Sequence, residues 1–192
     1  MSEVAAATPG AEGRRTTLVV TGVIALAVVV IGVVFAASAP WYFVFKMLHV
    51  SSAVVWVGGG LFLTICALLA ELANNDEQLL QVGHWAEVVA GRLFPLMSFV
   101  VLGFGVAMMA KGDIGYDQFW VVFGLIAWAA SAATGILFLG PEAKRLNAVA
   151  AKFGPDSPEA KARLQRILLV ARADVALMFV IVFDMVVKPF TY

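Results

Sequence analysis

Residues 41–70 contain one charged side chain, Lys46, and one imidazole, His49. No other feature restricts the possible folds so strongly. About 20 apolar residues suffice for a helix to cross the hydrocarbon core of a bilayer. This stretch is longer, so it must tilt or protrude. Inside lipid each backbone N–H and C=O must be satisfied within its own segment, which makes the stretch a helix.

Four more segments read as spans: residues 17–38, 93–110, 119–140 and 167–187. The third of the five, 93–110, is extended backwards by a polar stretch from Glu77. The composition agrees, with 62% hydrophobic and 14% charged residues and a mean hydropathy of +0.94. A soluble domain is about half apolar and a quarter charged. The expected fold class is therefore an all-α membrane protein with five transmembrane helices. Residues 1–16 read as a flexible cytoplasmic tail. The apolar run after Arg14-Arg15 exceeds a signal-peptide core, so it reads as a retained span.

Arg14, Arg15, Lys144, Arg145, Lys152, Lys161, Arg163 and Arg166 fall on one side of a five-span arrangement. The positive-inside rule makes that side cytoplasmic, with the N-terminus inside and the C-terminus outside. Trp41, Tyr42, Tyr116, Phe119, Trp120, Phe190 and Tyr192 gather at the outer ends, as an interfacial belt does. Residues 141–166 form a cytoplasmic loop that reads as largely helical, broken at Gly154-Pro155-Asp156, with basic side chains for anionic headgroups. The expected location is a bacterial plasma membrane.

Several functions are excluded early. The formal net charge is zero, so nothing points to nucleic acid. Cys66 is the lone cysteine, which rules out an intrachain disulfide or a cysteine-based metal cluster. No phosphate loop, HExxH motif or Ser-His-Asp order is present. The expected partners are the lipid bilayer and, beyond it, a homo-oligomer or a larger membrane complex.

Chemistry is expected around His49. On a helix, Tyr42, Lys46, His49, Ala53, Trp56 and Gly60 form one stripe. His49 lies roughly 12 Å along the axis from Trp41. A lysine at that level can snorkel to the interface, but an imidazole is too short. His49 must therefore meet a partner, water, a metal or a cofactor. Asp184, four residues before Lys188, is expected at a similar depth, where it pairs with Lys188 or faces His49. Met108 and Met109 end the third span on the same side and are candidate soft-metal ligands. At the opposite side, Arg92 and Asp174 each lie inside a span and are expected to bridge as a structural ion pair. His84 sits near that face, too far from His49 for the two to share one haem iron. Gly58-Gly59-Gly60 is expected to let a neighbouring helix approach closely.

Lys46-x-x-His49, then Trp56 and Gly58-Gly59, then Arg92-Leu-Phe-Pro95-Leu-Met97, and finally Val186-Val-Lys188-Pro-Phe190 occur in an order that resembles one superfamily. It holds HemJ-type protoporphyrinogen oxidases, CopD-type copper-resistance membrane proteins and uncharacterised relatives. The resemblance covers about 150 residues. It implies a four-helix core at 41–192, with residues 17–38 as one extra N-terminal transmembrane helix. For the oxidases it further implies bound haem b, with His49 at the place of the histidine proposed to ligate iron. Lys46 and Trp56 would then help to hold the group. HemJ-type oxidases also have an important lysine in the third core helix, whereas residues 119–140 contain none. The copper-resistance relatives imply instead copper at His49 with nearby methionines. The functional expectation is a haem- or metal-linked redox role centred on His49. The alternatives are a copper-handling protein and a non-catalytic membrane subunit whose polar network sets helix register.

Overall fold

The computed structural model describes residues 11–155 and 157–190. Residues 1–10 of the expected tail, Asp156 of the expected loop break, and Tyr192 of the expected belt lie outside them. Among the described residues all regular structure is helical. The chain divides into two compact units, 1–44 and 45–192.

In the first unit, α1 (Ala11–Ser38) is a single apolar helix. Thr17 and Thr21 return their hydroxyls to the carbonyls of Gly13 and Thr17, so neither leaves a bare polar group in an apolar setting. α1 ends just before Pro40. The residue ahead of a proline is driven out of the helical region, and α2 (Trp41–Leu72) starts directly after it.

The second unit holds the core. Asn75 accepts the Gln78 N–H through its side chain and starts α3 (Asp76–Trp85). A wide π-helical turn, Ala86–Ala90, follows. α4 (Leu93–Lys111) carries Pro95 near its start, where a missing N–H costs nothing. α5 (Phe119–Ala133) runs through a second π-helical segment, Thr134–Leu139, into α6 (Gly140–Phe153). Pro141 explains the continuity without a regular ladder. Its ring would crowd the carbonyl of Leu137, and the widened turn directly before it relieves that clash. Gly154, at φ +87°, ends α6. Ser157 then caps α7 (Pro158–Val187) by accepting the Ala160 N–H. The segment expected as a loop at 141–166 is thus two helix ends meeting at a tight corner.

Among the described residues four helices are long and apolar enough to cross a membrane: Gly13–Ser38, Trp41–Leu72, Leu93–Lys111 and Phe119–Phe153. The expected fifth span, 167–187, is not among them. It lies in α7, where Arg172, Asp174 and Asp184 interrupt the apolar sequence.

α5 and α6 pack along α7. Three apolar clusters hold the unit. Met109, Trp120 and Val121 sit at one end. Trp56, Val101 and Met178 lie in the middle. Ala67, Ala70 and Leu79 sit at the other end. Of the three consecutive glycines on α2, Gly59 marks the tight contact. A Cβ there would stand 2.7 Å from the Phe94 ring of α4, while one at Gly58 would meet nothing.

Candidate functional site

His49 projects from α2 onto α4. Its Nδ1 lies 2.8 Å from the carbonyl oxygen of Val101. A carbonyl only accepts, so Nδ1 carries the hydrogen, and in the neutral ring Nε2 keeps its lone pair. The ring lies on Gly105, one turn further along α4. A Cβ at that position would stand 3.1 Å from both Cε1 and Nδ1. The glycine is therefore what lets the imidazole reach the backbone. His49 is half-buried. Lys46, on the same stripe, is exposed, while Trp56 is buried against Val101 and Met178. The stripe read from the sequence thus splits into an outward lysine, a tethered imidazole and a packed indole.

Asp184 is not brought to His49. It is buried and faces α5, where a Cβ at Gly124 would lie 3.7 Å from its Oδ2. That oxygen has no hydrogen-bond partner among the described residues. The Nζ of Lys188 stands 4.9 Å over the Trp120 ring. Met109 is buried against Trp120 and Val121, whereas Met108 is half-buried. No group of three His, Cys, Asp or Glu side chains among the described residues could hold a metal ion.

A different arrangement exists toward the other end of the same unit. A cavity of about 160 Å³ is walled by α2 to α7 and both π-helical segments. Most of its wall is apolar, with Trp56, Phe94 and Met178 prominent. Asp174 and Ser131 belong to this wall, 8% and 2% exposed. The Ser131 hydroxyl lies close enough to act on the Asp174 carboxyl, but neither Asp174 Oδ1 nor Ser131 Oγ makes a hydrogen bond of regular geometry among the described residues. Ser98, also in the wall, is satisfied by the Trp128 Nε1–H at 3.0 Å. Arg92, expected to bridge Asp174, is exposed and is not brought to it. The basic residue of the wall is Arg172, which pairs with Glu71. Glu87 of the wall accepts from Asn147. His49 and Lys46 are not in this wall.

Sequence reading missed the cavity and Ser131. The available signal was small: Ser131 and Thr134 are the two hydroxyls of residues 119–140. Thr134 returns its own to the Ala130 carbonyl, which leaves Ser131. Reading also missed Glu142. It is buried between Arg145 and Arg163, at 3.3 and 2.6 Å, and Arg163 also reaches Glu159 at 3.2 Å. His84 lies on α3 beside Trp85.

Residues 43–189 match the family described as predicted integral membrane protein (DUF2269), and the chain belongs to that family. No curated protein and no solved structure gives a significant match. The family description states membrane residence and no activity, and it carries neither the HemJ-type nor the CopD-type name.

Proposed function

We propose that this integral membrane protein performs metal-linked redox work at His49. The observation that carries the reading is the Nδ1–H bond to the Val101 carbonyl. Ligating histidines characteristically hand their other ring N–H to a carbonyl or carboxylate, which fixes the ring and raises the basicity of the ligating nitrogen. His49 has that bond, and its Nε2 lone pair is the one left to donate.

Haem b and copper were the two groups expected. His49 is not in the wall of the described cavity and Lys46 is exposed, which favours a small ion over an enclosed haem. Copper(I) needs few donors and accepts imidazole with thioether sulfur. Met108 follows Gly105 by three residues, so it shares the face of α4 on which the imidazole rests. Met109 is taken up by packing. The reading therefore assigns His49 and Met108 as donors, with further donors from a second copy or a partner membrane protein. When bound, copper supplies one-electron chemistry. The chain's own part is to fix the imidazole through Val101 and Gly105.

Our reading also makes α7 a fifth embedded helix. Its buried side chains include Asp174 and Asp184, while Leu169, Phe179, Val180, Phe183 and Val186 are exposed. Polar inside and apolar outside is the pattern of a helix that meets lipid. With five spans the positive-inside bias favours a cytoplasmic N-terminus and an external C-terminus, and the reading keeps a bacterial plasma membrane as the location.

The test is metal analysis and an absorption spectrum on detergent-purified protein, wild type against His49→Ala. Copper lost with His49 supports the reading. A haem absorption band would move it to haem b. No cofactor in the wild type, together with an unfolded His49→Ala, would leave the bond to Val101 as a structural tie.

A further inference from the structure

We propose that the cavity at Asp174 is a binding site for a lipophilic amine: an ammonium head on an apolar body about the size of one aromatic ring. This inference goes beyond the reading of His49 and does not depend on it.

Three observations converge. First, two adjacent buried polar atoms of one wall, Asp174 Oδ1 and Ser131 Oγ, have no hydrogen bond of regular geometry among the described residues beyond the weak approach of one to the other. Buried polar groups are nearly always hydrogen-bonded, and an orphaned pair on a cavity marks where something else supplies donors. Second, the cavity has the volume to receive it. About 160 Å³ is close to that of an engineered apolar cavity, roughly 150 Å³, that admits benzene. Third, both π-helical segments, Ala86–Ala90 and Thr134–Leu139, contribute to the wall. Such widened turns cost helical regularity and recur at functional sites.

Charge selects the class of ligand. Arg172, the basic residue of the wall, is neutralised by Glu71. Glu87 is engaged by Asn147. Asp174 is left as an acidic group facing apolar surroundings, which is costly without a counter-charge. An ammonium brings the positive charge and up to three N–H donors, enough for Asp174 Oδ1 and Ser131 Oγ together. Trp56, Phe94 and Met178 supply the apolar and aromatic contact for the rest of the molecule.

The test uses the full chain in lipid nanodiscs with photoreactive 4-azidophenethylamine, read by mass spectrometry of the adducts. Labelling is expected on α5 and α7 peptides around Ser131 and Asp174. It should be competed at least about tenfold better by 2-phenylethylamine than by 2-phenylethanol, the neutral analogue of the same shape, since a hydrogen bond to a charged group is worth that factor or more. Asp174→Asn should reduce labelling by about tenfold or more, and Asp174→Glu should keep part of it. Should Asp174→Asn fail to fold, as judged by size exclusion, Ser131→Ala and the competition ratio on the wild type carry the test. Equal competition by amine and alcohol, or labelling unchanged in Asp174→Asn or in Ser131→Ala, would overturn the proposal and leave a cavity filled by lipid chains.

Discussion

His49 and Asp174 are both ionisable residues on helices of the second unit, yet their surroundings differ. His49 has a partner and lies outside the wall of the described cavity. Its Nδ1–H is held by the Val101 carbonyl, and its ring fills the space that Gly105 leaves open. Asp174 has a cavity and no partner for Oδ1 among the described residues. The first arrangement fixes one atom's orientation and leaves a single nitrogen to donate. The second leaves polar demand and volume together. A tethered ligand suits a small ion, whereas an unmet carboxylate in a hollow suits a molecule with its own charge and bulk.

The comparison can be broken most directly at His49. His49→Ala is expected to remove essentially all copper, measured by metal analysis, and to cost about 1 kcal/mol of stability through the lost interhelical hydrogen bond. Retention of metal would show that the tethered imidazole is not the ligand.

Next comes the opposite sign at the other site. Asp174→Leu replaces an unsatisfied carboxyl with an apolar side chain of similar size. Thermal unfolding in detergent should show a gain of about 1–3 kcal/mol, while amine labelling disappears. A loss of stability instead would mean that Asp174 is already satisfied in the folded protein.

Gly105→Ala should act without removing any donor atom. Its Cβ would stand 3.1 Å from the ring, so the imidazole must shift by a few tenths of an ångström. Copper affinity is expected to fall by about tenfold, the usual lower range for disturbing the partner of a ligating histidine, with unfolding little changed. Titration with a competing copper chelator would measure this.

A pair of glycine variants separates packing from chemistry. Gly59→Ala pushes into the Phe94 ring, which also belongs to the cavity wall, and should destabilise by about 1–3 kcal/mol. Gly58→Ala meets nothing and should be neutral or stabilising by less than about 1 kcal/mol. Equal melting shifts for the two would contradict the seating of the Phe94 ring on Gly59.

Much was legible without a structure. Long apolar runs dictate helices, because backbone groups in lipid have no other partner. The break at Gly154-Pro155 is legible in those residues, and Gly154 does end α6, whereas the caps at Asn75 and Ser157 came from the structure. That His49 needs a partner also follows from one residue at one depth. Its identity did not, because a main-chain carbonyl leaves no mark in a residue pattern. The wide turns at Ala86–Ala90 and Thr134–Leu139 likewise came only with the structure.

Sequence by itself determined that the chain is helical, suited to a membrane and centred on few ionisable residues, since hydrophobic length and the cost of burying charge are local quantities. The expected Arg92–Asp174 bridge shows where that reasoning stops. Both residues sit at suitable depths, but depth along a helix does not fix rotation about it. Only the tertiary structure turned Arg92 outward, set Asp174 beside Ser131 on a cavity, and laid His49 on Gly105. Those outcomes depend on how the helices are rotated and spaced against one another, which packing between distant segments decides.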